Sequence, residues 1–233
     1  YGQRIERGLD TVATREAQAL EQLRFQLLTG WYPASPPGKQ LPELHNGAIH
    51  ESASLTTVFS DGCWQQTRHH YRLLALFDEV DYYAITSLFP APPMPHGNWR
   101  TTTQPIEGGY EHRFFLTGPL RRGQSYDLAF TLAPNTPEVA DYAQPRCIWE
   151  ESLAFHERTL QARFEAIFIG EKPRCVWQFS GLTHLQRPGQ PTNQNQLDPT
   201  TGSAVQAHFT DLYGGLFAGL AWEWSSPPLI RTN

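Results

Sequence analysis

The chain has 233 residues, 39% of them hydrophobic and 12% aromatic, so it carries enough bulky apolar surface to bury a core of its own. Only 18% are charged and the formal net charge is −5, which leaves no basic footprint for nucleic acid. No stretch approaches the ~20 apolar residues needed to cross a bilayer, and the N-terminus lacks the charged-then-apolar pattern of an export signal. The expectation is a cytoplasmic protein without nucleic-acid or membrane contacts.

From Ile5 to Leu28, apolar residues recur at three- and four-residue steps: Ile5, Leu9, Val12 or Ala13, Leu20, Leu23 and Leu27. This spacing predicts an amphipathic helix that Gly30 and Pro33 bring to an end. Residues 1–30 are therefore expected to form a helical arm. It either packs on its own domain or joins copies of the chain into a homo-oligomer through residues 5–28. The chain opens on Tyr1 rather than Met, as a piece of a larger polypeptide would. Residues 31–51, rich in Pro and Gly, read as a linker.

Residues 52–233 change to period 2. Ser54 to Phe59, then Asp61-Gly62, then Cys63-Trp64 read as a β-hairpin, since an Asp-Gly pair accepts the positive φ values of a tight turn. Runs at Arg68–Phe77, Tyr82–Phe89, Tyr110–Leu116 and Ser125–Leu132 read as further strands. In Thr159–Phe168, the residues Leu160, Ala162, Phe164, Ala166 and Phe168 alternate with others, predicting five apolar groups on one face. Cys175, Trp177 and Phe179 continue the alternation, and Leu216, Ala218, Leu220, Trp222 and Trp224 repeat it. His184 to Gly202, rich in Gln, Asn, Pro and Thr, reads as an exposed or disordered excursion. Strands joined by Gly/Pro turns, with no crossover helices, indicate a mainly β fold: an antiparallel sandwich with an N-terminal amphipathic helix.

Three stretches carry a family likeness: Gly118-Pro119-Leu120-Arg121-Arg122-Gly123 leading into Tyr126 to Phe130, the alternation Leu160 to Phe168, and Gly219-Leu220-Ala221-Trp222-Glu223-Trp224. Across residues 68–224 the chain resembles an uncharacterised bacterial module, chiefly actinobacterial, that follows helix-turn-helix or other regulatory domains. The resemblance implies an immunoglobulin-like sandwich and no catalytic residues. The arm departs from that setting, since a DNA-reading unit needs two helices across a short turn.

Catalytic constellations lack their spacings. There is no Gly-x-Ser-x-Gly elbow and no P-loop, and the three cysteines (63, 147, 175) sit too far apart in sequence to imply a disulfide framework. The acidic runs Asp78-Glu79-Val80-Asp81 and Glu150-Glu151 read as solvated turns. Nine histidines raise a metal-dependent hydrolase as one alternative: His45 and His50 could converge with His69 or His70, with Glu43 or Glu51 as carboxylate ligand. His69 and His70 are adjacent in a predicted strand, so they point to opposite faces. The favoured reading needs no cofactor. It is a binding or sensing module for a protein partner or small ligand, with Trp31, Tyr32 and Trp99 near Pro- and Gly-rich loops as contact residues.

Overall fold

A computed structural model describes residues 13–20, 48–75, 78, 80–87, 91–106, 109–134, 147–155, 158–199 and 202–225. Residues 13–20 form a helix, α1, and all eight are exposed, Leu20 at 66%. The rest of the regular structure is β: β1 (Ala48–Ser60), β2 (Cys63–Ala75), β3 (Val80–Ser87), β4 (Met94–His96), β5 (Arg100–Ile106), β6 (Gly109–Leu120), β7 (Ser125–Leu132), β8 (Ile148–Phe155), β9 (Thr159–Ile169), β10 (Cys175–Leu182), β11 (Gln196–Leu197), β12 (Ala204–Leu212) and β13 (Leu216–Glu223). The mainly β sandwich with an N-terminal helix is as the sequence predicts; residues 5–12 and 21–28 of the expected helix lie outside the described residues.

The strands make a six-stranded sheet, β12-β9-β1-β2-β7-β4, a four-stranded sheet, β11-β10-β13-β8, and a three-stranded sheet, β3-β6-β5. One face of the six-stranded sheet is covered jointly by the other two. Phe59 of β1 meets Trp149 of β8 and Trp222 of β13 edge-on, with ring centroids 5.0 and 5.1 Å apart. Towards the other end, Phe130 of β7 packs on Phe114 of β6 at 4.6 Å. Edge-to-face and tilted pairs of this kind add about 0.5–1.5 kcal/mol each beyond the area they bury.

The β1–β2 hairpin turns as predicted, with Asp61 at φ 47° and Gly62 at φ 78°, two consecutive left-handed residues. β1 starts at Ala48, so strand begins inside the stretch read as linker. A register shift between His50 and Ser52 accounts for its odd phase: the bulge turns both His50 and Ala53 inward although they are three residues apart.

Two sequence expectations are corrected. The sandwich is not wholly antiparallel, because β1 and β9 pair in parallel, Ser52 opposite Gln161 through Ser60 opposite Ile169. That pair, together with the third sheet, lends no support to the narrower immunoglobulin-like label. Leu160 is 45% exposed while Thr159 is fully buried, so the β9 face holds Ala162, Phe164, Ala166 and Phe168 without it. Of the two readings of His184 to Gly202, exposed loop or disordered excursion, the exposed loop holds: residues 183–199 form a largely exposed strap. β11 pairs with β10, Trp177 Nε1–H donates to the Pro188 carbonyl at 2.9 Å, and Gln178 N–H donates to the Asn195 carbonyl at 2.9 Å. The strap lies on the outer face of the four-stranded sheet, where Trp177, Phe179 and Ala221 form a small second cluster.

Candidate functional site

β8 carries two neighbouring carboxylates on opposite faces, one bonded to Thr67 and the other to Arg187. Glu150-Glu151 was expected to be a solvated turn and is strand instead. Strand alternation faces Trp149, Glu151, Leu153 and Phe155 towards the six-stranded sheet. Trp149 and Leu153 pack on the main core and Phe155 lies within it.

On the inner side, a Glu151 carboxylate oxygen accepts a hydrogen bond from the Thr67 hydroxyl at 2.9 Å. Thr67 Oγ1 in turn accepts from Trp64 Nε1–H at 3.1 Å and lies 2.9 Å from the Thr57 hydroxyl. No Lys or Arg pairs with Glu151 among the described residues. Burial pushes the carboxyl up to about 7, a rise that the Thr67 and Thr57 hydroxyls moderate and the neighbouring Glu150 reinforces.

Beyond Thr67, the inner face of β2 continues with His69 and Tyr71 and forms a seam of enclosed rings. His69 stacks flat on Phe130 with centroids 4.4 Å apart, and its Nδ1 lies 2.8 Å from the Tyr71 hydroxyl. Its Nε2 is buried without a hydrogen-bond partner among the described residues. His50 lies on the other side of Tyr71, ring to ring at 4.8 Å, with Nε2 2.5 Å from the Tyr83 hydroxyl and Nδ1 3.2 Å from the Thr159 hydroxyl. His112 of β6 sits between the Ser87 and Thr103 hydroxyls, both at 2.9 Å. Burial drives all three imidazoles down, His50 and His112 to about 4 and His69 to about 3, with His112 adding to the effect on His69. All three are neutral at pH 7, and burial likewise holds Tyr71 and Tyr83 well above the usual phenol range.

The structure separates the histidines weighed as metal ligands. His50 and His69 point inward on either side of Tyr71, and both nitrogens of His50 already face hydroxyls. His70 points to the opposite face, as alternation requires, 58% exposed and 3.6 Å from Asp127. His45 lies outside the described residues. Among the described residues no three His, Cys, Asp or Glu side chains are grouped to hold a metal ion. Of the aromatic candidates, Trp31 and Tyr32 lie outside the described residues; Trp99 is half-buried between β4 and β5 and packs against the main core.

On the outer side, Glu150 holds the strap. Arg187 donates to a Glu150 carboxylate oxygen at 2.6 Å and lies 3.4 Å from the Ser152 hydroxyl, with its guanidinium 4.4 Å above the Phe217 ring. Burial raises the Glu150 carboxyl while Arg187 and Ser152 oppose the rise. Between the strap and the start of β10 lies an open cleft of about 630 Å³. Pro191, Gln196, Leu197 and Pro199 line it from the strap side, facing Arg174, Cys175 and Glu223. Arg174 and Glu223 form an ion pair at 2.5 Å, and burial with the nearby Glu223 raises the Cys175 thiol, which makes it a poor nucleophile.

No family model matches the chain, and none of the curated proteins does. Among solved structures it is similar to an M1 zinc metallopeptidase from Deinococcus radiodurans, at 10% identity and a TM-score of 0.38 over 83% of this chain and 44% of that one. A mutant of a two-domain M1 zinc metallopeptidase bound to L-arginine matches at 10% identity and a TM-score of 0.36, over 83% of this chain and 45% of that one. The chain spans less than half the length of these structures. Likeness at this level brings neither their metal nor their activity to this chain.

The sequence reading took Glu151 for part of a solvated turn and did not single out Tyr71, His112 or Arg187. A signal for Glu151 was present, since Trp149, Leu153 and Phe155 surround it at two-residue spacing. Arg187 carried none, because its role comes from a strap that folds back across more than 30 residues to reach Glu150.

Proposed function

We propose that the domain is a recognition module that binds a small ligand or a short partner segment in the cleft between the strap and the four-stranded sheet. The observation that carries this reading is the cleft's lining: proline rings and Leu197 beside an Arg174–Glu223 pair, with Gln196 on the same strap segment. Walls that mix proline and leucine surface with fixed polar groups, Asp198 among them, suit a ligand that has both an apolar body and hydrogen-bonding groups. The His, Tyr and Glu groups between the sheets bond to one another or to Thr and Ser hydroxyls of the domain itself. Binding within a larger bacterial regulatory protein fits the family resemblance, and the three free thiols fit a reducing, cytoplasmic setting.

A ligand-observed NMR screen of amino acids, dipeptides and aromatic amides tests the assignment, with Cys175→Trp as the blocked control. Fragments that bind the native chain and not the variant support it. Equal binding to both, or no binding to either, overturns it.

A second reading has one observation in its favour. Every residue of α1 is exposed, so this part of the arm does not pack on the sandwich, and a homo-oligomer through residues 5–28 would cover its apolar stripe. Sedimentation equilibrium of the full chain against Leu20→Glu checks this: a lighter species for the variant supports association, and equal masses reject it.

A further inference from the structure

Glu150 and Glu151 are consecutive residues of one strand, and each holds something different in place. Glu151 faces the six-stranded sheet, where its carboxyl accepts from the Thr67 hydroxyl, which is itself held by the Trp64 indole N–H. Glu150 faces outward and anchors the strap through Arg187. β8 has little freedom to shift along its neighbour β13. Gly219 lies opposite Ser152, and a methyl group there would sit 2.2 Å from the Glu151 carbonyl oxygen, so the two backbones are already in close contact. A charge formed on Glu151 thus meets a strand clamped on one side and a sheet of rings on the other. The titratable groups nearest to it are Tyr71 on β2, itself bonded to His69, and Glu150 on its own strand.

We propose that Glu151 is a proton-operated latch for the strap. Protonated, it seats β8 on the six-stranded sheet; ionised, it loosens β8 and the Arg187-held strap together and opens the cleft. Charge enclosed without a cation is relieved by admitting water, and the seam between β8 and Thr67 is where water would enter. The strap that moves under this scheme supplies Pro191 and Gln196 to Pro199 to one wall of the cleft. The position of Glu151 in the seam places the transition near neutral pH, with burial as its cause. The latch rests on reading the cleft as the binding site for its purpose, though not for its existence.

Amide hydrogen exchange of the full chain at pH 6 and pH 8, corrected for the intrinsic dependence on pH, tests it without any ligand. Exchange in residues 183–199 is expected to rise with pH by up to about tenfold per unit, the limit for one linked proton, and Glu151→Gln is expected to abolish the rise. Thr67→Val removes a donor to the carboxylate and should move the midpoint to higher pH. It also serves as the deciding variant if Glu151→Gln does not fold. Strap exchange that is equal at the two pH values, that rises alike in Glu151→Gln, or that keeps its midpoint in Thr67→Val overturns the latch. A cleft that binds no fragment leaves the exchange result standing, so the two ideas fail separately.

Discussion

The domain should lose stability steeply as the pH falls below 6.5. His50, His69 and His112 sit at about 4, 3 and 4 in the fold, against 6.5 for an unfolded chain. Depressed values mean that their contribution is present above 6.5 and is lost as pH falls towards the folded values. Between pH 6.5 and 4.5 the unfolded chain therefore gains up to three protons that the fold refuses. Glu151 acts in the opposite sense, at about 7 folded against 4.5 unfolded, so the fold keeps one proton that the unfolded chain releases in this interval. The difference is two protons, or about 2.7 kcal/mol per pH unit at the steepest. Because titration is gradual near 6.5, roughly 3 kcal/mol should be lost between pH 6.5 and 5, a large share of the ~5–15 kcal/mol of a typical domain. Above pH 6.5 the protons still leaving the unfolded histidines slightly outweigh the one leaving Glu151, so stability rises by less than ~0.5 kcal/mol and levels off. Urea denaturation at half-unit pH steps, with the slope m held constant across the series, measures the profile directly. A midpoint that stays level or rises from pH 6.5 to 5 would refute the neutral-histidine seam. His69→Phe should lower the acid slope by one proton, about 1.4 kcal/mol per pH unit.

Other substitutions probe the packing. Phe59→Ala empties a fully buried site ringed by Trp149, Trp222, Trp224 and Phe168 and should cost about 3–5 kcal/mol in urea denaturation. Gly219→Ala sets a methyl against the backbone of Glu151 and Ser152, which cannot rotate away. A loss of about 2–3 kcal/mol is expected, and an unchanged midpoint would show that β8 and β13 can separate there. Arg187→Ala should leave the thermal midpoint within a few degrees while limited proteolysis between residues 183 and 199 becomes faster; uncut strap in the variant would place its anchoring elsewhere.

What the sequence disclosed depended on how local the controlling physics was. The Asp61-Gly62 hairpin and the alternating runs of β7, β9 and β13 follow from neighbouring residues, and they appear in the structure with small changes. Leu160 departs because the alternation breaks between Thr159 and Ala162, where the start of the strand pairs with the end of β12. Glu150-Glu151 was misread because paired carboxylates prefer water, and only a partner sheet bearing Thr67 and a strap bearing Arg187 make strand geometry favourable there. The histidines were correctly split at His69 and His70, yet the seam around Tyr71 is assembled from β1, β2, β3 and β6. No local pattern announces such an assembly. The strap was hidden for the same reason: its Gln, Asn and Pro composition matches disorder, and its order comes from Trp177 and Glu150 beneath it.

The parallel pairing of β1 with β9 sets a schedule for synthesis. Thr56 and its hydrogen-bond partner Glu165 are separated by 109 residues, so the β1–β2 hairpin leaves the ribosome long before the strand that covers its open edge exists. A topology with such high contact order folds slowly, and the nascent hairpin carries an exposed ladder of amide and carbonyl groups throughout that wait. Chain elongation at ~5–20 residues per second makes the wait on the order of ten seconds. During that interval the outward side chains of β1, mostly polar with Ser52, Ser54, Thr56 and Ser60, lie beside an edge still open to pairing.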